Sequence, residues 1–160
     1  MPRPTPALPA LAASALLLLA TAAIARPVHA ADDARRLEEN KKAVVDFYEK
    51  GLNQKDFEAA SAHLGATYTQ HNPTAADGPE GFRKFVQFLR EKFPNSHSDI
   101  KRVFAEGDYV ILHVHAVREP GTRGTAIVDI FRLDGAGKIV EHWDVRQDVP
   151  ETAANGNGMF

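Results

Sequence analysis

From Asp32 onward, Leu37, Val44, Val45, Tyr48 and Leu52 recur at the spacing of one helical face. Asp32 or Asp33 can cap the start of this helix, and Gly51 stands where a C-cap would. A shorter helix is predicted from about Asp56 to Leu64, with Phe57, Ala60 and Leu64 on its apolar side and Gly65 closing it. Ala66 to Gln70 reads as a short extended piece ended by Asn72-Pro73, since a residue before proline is held out of the helical region. A third helix follows, capped by Asp77, with Pro79 in its first turn where a missing N–H costs nothing. Phe82, Phe85, Val86 and Leu89 form its buried stripe, and Phe93-Pro94 stops it.

Beyond Pro94 the period changes from 3.6 to 2. Ser98–Ala105, Tyr109–Arg118, Gly124–Leu133 and Lys138–Val149 alternate or run apolar, separated by Glu106-Gly107-Asp108, Pro120-Gly121 and Asp134-Gly135-Ala136-Gly137. Four sequential antiparallel strands after three helices define an α+β domain in which a curved sheet packs on a helical layer. Residues 151–160 form a polar tail.

The N-terminal stretch has a different pattern. Residues 1–30 contain no acid, one early base, Arg3, and an Ala/Leu run of about 15 residues, short of the ~20 that span a bilayer. With Val28-His29-Ala30 as a small-residue processing site, this is a signal peptide cleaved after Ala30. The expected protein is therefore exported, periplasmic or secreted, with residues 31–150 as its domain and no membrane contact after cleavage. The full 160-residue chain suits a single domain with an appendage. At 44% hydrophobic and 25% charged it should build a real core. A net charge of −2 argues against nucleic acid as a partner. The absence of cysteine excludes disulfides, thiolate metal sites and cysteine nucleophiles, leaving His, Asp, Glu, Ser, Tyr or an N/O-held metal to carry chemistry.

Residues two apart on a strand share a face, so His113 with His115, Asp129 with Ile127 and Phe131, and His142 with Asp144 form three sets. Pairing Leu133 with Lys138 places Asp129 opposite His142. Pairing Glu119 with Arg123 places His113 opposite Asp129 and joins opposite charges at the hairpin mouth. One face then carries His113, His115, Asp129, His142 and Asp144 among aliphatic residues, the composition of a lined cavity. His71 is a candidate as a turn cap or a ligand, Trp143 as core packing, and His63 and His97 as surface residues. Tyr48 and Tyr68 read as core aromatics whose hydroxyls could reach the cavity.

Several strings together resemble a known family: Tyr68-Thr-Gln-His-Asn-Pro73, Gly78-Pro-Glu-Gly-Phe82, Ala105-Glu-Gly-Asp108 before His113-Val-His115, Val128-Asp-Ile-Phe-Arg132, and Gly137-Lys-Ile-Val-Glu-His-Trp-Asp144. From roughly Leu37 to Val149 the chain is similar to the SnoaL-like polyketide cyclases of the nuclear transport factor 2-like superfamily. The resemblance implies a cone-shaped α+β barrel whose helices and bent sheet enclose a hydrophobic pocket. It also implies an aldol-type cyclisation without a cofactor, supported by a pocket Asp matching Asp129 and a His best matching His115, with His113 as the alternative. The superfamily also contains isomerases, hydrolases, dehydratases and binding modules, so fold alone does not choose a reaction.

The leading expectation is thus acid–base chemistry on a small hydrophobic or carbonyl-containing ligand. Asp129 would take the proton and His115 or His142 would assist at the oxygen, with His71, His113, His142 and Asp144 as ligand-binding residues. A metal enzyme using His113, His115, His142 and Asp129 or Asp144 is a second reading. A non-catalytic small-ligand module, or a homodimer formed through the open face of the sheet, is a third.

Overall fold

The structure, a computed structural model, describes Met1 and residues 28–160. The hydrophobic part of the expected export signal lies outside the described residues. Helix α1 (Val28–Tyr48) runs into a π-helical turn, Glu49–Asn53, and is followed by α2 (Phe57–Ser61), β1 (Leu64–Gln70), α3 (Gly78–Lys92), β2 (His97–Glu106), β3 (Tyr109–Val117), β4 (Thr125–Leu133) and β5 (Ile139–Asp148). The five strands form one sheet in the order β1-β5-β4-β3-β2, antiparallel except where β1 runs parallel to β5. Bulges between Leu64 and Thr69, Ile100 and Arg102, and Arg132 and Leu133 bend it into the α+β cone, with the helices on its concave side.

The predicted elements are all present, with shifted ends. Asp56 caps α2 as expected, its side chain accepting the Ala59 N–H at 2.9 Å, but the helix ends at Ser61 and Leu64 and Gly65 already belong to β1. Gly51 does not end the first helix. It lies inside the π-helical turn, where a Cβ would come within 2.6 Å of Phe82 Cζ, so its role is close approach of α3. Asp77 precedes α3, but its carboxylate accepts the backbone N–H of Gln70 at 2.7 Å instead of capping the helix, and so ties the end of β1 to the start of α3.

The core forms where α1 and α3 meet the sheet. Phe47 of α1 packs on Phe82 at 4.7 Å between ring centres and edge-on to Phe131 of β4 at 5.9 Å. Beneath them Val110, Leu112 and Val114 of β3 are completely buried. Those three aliphatics settle the register of β3, and here the structure corrects the sequence reading. Asp129 faces Leu112 across the β3–β4 pair, not His113, a displacement of one residue that sends His113 and His115 to the convex face. Burying Val110, Leu112 and Val114 removes apolar area from water, whereas burying the imidazoles would strand ring nitrogens without partners. Between β4 and β5 the displacement is two residues, with Asp129 opposite Asp144 and Phe131 opposite His142. An even displacement keeps the predicted faces.

Candidate active site

Asp129, at the middle of β4, is the centre of the concave face and only 4% exposed. Its Oδ1 lies 3.1 Å from Nε2 of His142 on β5, and its Oδ2 accepts from the Tyr48 hydroxyl of α1 at 3.1 Å. Nδ1 of His142 meets Oε1 of Gln70 at 2.9 Å, and the Gln70 amide donates to the Tyr68 hydroxyl at 2.8 Å. His142 can donate Nε2–H to the Asp129 carboxylate while its Nδ1 is engaged by the Gln70 side-chain amide.

Asp144 stands directly across from Asp129 on the same face, an arrangement of like charges that is unfavourable unless something offsets it. Asn72 donates to both Asp144 oxygens, at 2.9 and 2.7 Å, while Tyr48 and His142 engage the two oxygens of Asp129. One donor atom each from Asp129, His142 and Asp144 fall within 4.8 Å of one another. This one-nitrogen, two-carboxylate cluster replaces the expected set of three imidazoles, which the β3 register takes apart.

The two tyrosines are held as phenols. Burial first, and then the charge of Asp129, raise Tyr48 far above its ordinary range, and the same two causes raise Tyr68. Both remain donors at any ordinary pH. Phe47, Leu52, Phe82, Phe85, Ile127 and Phe131 complete an apolar wall around a cavity of about 140 Å³ that opens toward Arg118 and Arg146.

Of the expected site residues, Asp129, His142 and Asp144 come together in this cavity, and His71, His113 and His115 do not. His115 Nε2 contacts the backbone oxygen of Arg123 at 2.8 Å, and its ring lies 4.5 Å from that of Phe160, which the tail lays over the convex face. His113 meets Arg102, and its ring lies 5.4 Å from the same Phe160 ring. His71 bonds Glu141 Oε1 at 2.8 Å and stacks on Trp143 at 4.6 Å, so the tryptophan covers the convex face and not the core. Gln70 and Asn72 join the site from positions that the sequence marks only as a strand end and a turn. Tyr68 and Gln70, two apart on β1, share the face that turns to His142, and that spacing was the available signal.

Residues 44–142 match the family described as SnoaL-like domain, and the chain belongs to that family. Solved structures share its cone. A candidate polyketide cyclase from Acidithiobacillus ferrooxidans is similar over 68% of this chain and 87% of its own, with 20% identity and a TM-score of 0.57. Another from Bacillus cereus has 23% identity and a TM-score of 0.58 over 68% of this chain and 74% of its own. AclR, a candidate hydroxylase from Streptomyces galilaeus, has 19% identity and a TM-score of 0.54 over 69% and 90%. At these identities the likeness is one of fold. No curated protein matches the sequence.

Proposed function

We propose that this protein catalyses proton transfer next to the carbonyl of a small molecule, with Asp129 as the base. The observation that carries this reading is a nearly buried carboxylate, walled by apolar side chains, whose two oxygens each have one donor and a remaining lone pair. Both ring nitrogens of His142 are engaged, so the histidine polarises and Asp129 accepts. As Asp129 takes the proton from carbon, it weakens as an acceptor. The Tyr48 O–H and His142 N–H that held its charge are then free to turn to the enolate oxygen, so the negative charge moves from carboxylate to enolate without losing its donors. Deuterium exchange at the α-carbon, followed by NMR over a panel of ketones, tests this. Asp129→Asn should slow exchange about 10²- to 10⁴-fold; exchange at the wild-type rate removes Asp129 from the chemistry.

A metal-bound version is favoured by one observation only, the proximity of donor atoms on Asp129, His142 and Asp144. A cation there would share the Asp144 carboxylate with the Asn72 amide and would take His142 Nε2 from its contact with Asp129.

Export remains part of the proposal. Ala30, Ala31, Asp32 and Asp33 are exposed, and the first buried residue of α1 described is Asn40, which leaves the proposed cleavage bond accessible. Mass spectrometry of the mature chain from the cell envelope should find Ala31 at its N-terminus. A homodimer through the convex face fits the exposed Phe104, Tyr109 and Val145 on that side.

A further inference from the structure

We infer that the ligand is a carboxylic acid, its carboxylate held by Arg118 and Arg146 at the cavity mouth while its carbonyl reaches Asp129. This rests on the acid–base reading above and names the substrate class it serves. Arg35, Arg36, Arg83, Arg123 and Arg132 each have a carboxylate partner. Among the described residues, Arg90, Arg102, Arg118 and Arg146 have none, and of these four Arg118 and Arg146 line the cavity.

Arg118 is half-buried, and its guanidinium lies over the rings of Phe85 at 5.6 Å and Phe93 at 5.3 Å, fixed beneath the end of α3. Burial, and then the neighbouring charge of Arg146, push it below its ordinary range. Both penalties are relieved by an anion placed between the two guanidiniums, and a fork already held in place loses little freedom on binding one. The apolar ring faces favour a monoanion such as carboxylate over a dianionic phosphate, whose desolvation costs more.

The strands set the ligand's length. Arg146 is paired with Ile127, one same-face step outward from the level shared by Asp129 and Asp144, so on the order of 7 Å of strand separates the level of the guanidinium's residue from that of the base. A carbonyl and a carboxylate joined by a short chain span that distance. Size points the same way, because a cavity of about 140 Å³ is close to one that encloses a benzene-sized molecule. Charge is segregated along the cavity, acids deep and guanidiniums at the rim, so a neutral carbonyl enters first and an anion stays behind.

The probe is 4-oxopentanoate, compared with its methyl ester by isothermal titration and by α-deuterium exchange. The acid should bind about tenfold or more tightly than the ester. Arg118→Gln and Arg146→Gln should each erase that preference without weakening the ester, and Arg118→Lys should restore part of it. Equal binding of acid and ester, equal losses for both ligands in the variants, or no saturable binding of the acid each overturn the proposal. The arms separate the two readings: Asp129→Asn should abolish exchange yet keep the acid preference. Exchange that depends on Asp129 with no preference for the acid would end the carboxylate inference alone.

Discussion

Asp129 and His142 are not cross-strand partners; they meet on the diagonal of the β4–β5 pair, with Oδ1 and Nε2 3.1 Å apart, because Asp129 is paired with Asp144. The imidazole supplies the reach for this diagonal contact, leaning along its strand toward the shorter Asp129 side chain. His142→Gln should therefore slow α-proton exchange while leaving the fold intact. His115→Ala, on the convex face, should leave the exchange rate unchanged. A loss in His115→Ala equal to that in His142→Gln would return the chemistry to the other side of the sheet.

Tyr48→Phe keeps the ring but leaves Asp129 Oδ2 without its donor. The expected cost is about 1–3 kcal/mol in urea unfolding at neutral pH. The pH dependence has the opposite sign. The folded chain keeps the Tyr48 proton well above 10.0, where the unfolded chain has released it, so stability is complete below about pH 10 and falls as pH rises further. In Tyr48→Phe this alkaline decline should be shallower, with Tyr68 still contributing. An unchanged slope between the two proteins would show that Tyr48 does not hold its proton in the fold.

Lys55 is buried and has φ +57°, and its ammonium donates to the backbone oxygens of Asn53 at 3.2 Å and Ser96 at 3.0 Å. It ties the turn before α2 to the turn before β2. Lys55→Met retains the stem but strands both carbonyls, and should lower unfolding stability by about 1–3 kcal/mol. Thermal denaturation at matched pH reads this; a variant as stable as wild type would mean water replaces the ammonium.

Gly124 and Gly51 are both closely approached, yet they differ in what an added methyl group meets. At Gly51 the obstacle is the tip of Phe82, which can move. At Gly124 it is the Ala116 carbonyl at 2.4 Å, and φ is +74°. Gly124→Ala should be the more damaging substitution, with at least about 1–2 kcal/mol from backbone conformation alone. Urea midpoints in the reverse order would place the β3–β4 loop differently.

Chelation should leave proton exchange unaffected. Asp144 is already bonded through both oxygens to Asn72, and His142 through both nitrogens to Gln70 and Asp129. Activity lost in a chelator and regained with one divalent cation would favour the metal reading.

The helices, the four antiparallel strands and the α+β class were legible because each rests on a local period and a local start or stop signal, such as Asp77 and Pro79 at the start of α3 or the glycine-rich loop after Leu133. Two of the three acid–base residues on one face, His142 and Asp144, followed from the same alternation within one strand. What the chain could not show locally was how β3 slides against β4. The hairpin charges of Glu119 and Arg123 favoured one register by a few tenths of a kcal/mol. Burial of Val110, Leu112 and Val114, at about 1.5–3 kcal/mol each, favoured the other and prevailed. That single-residue slip removed His113 and His115 from the cavity. Tertiary packing alone brought in Tyr48 from α1 and Gln70 from β1, because nothing along the chain measures the distance between residues 81 positions apart.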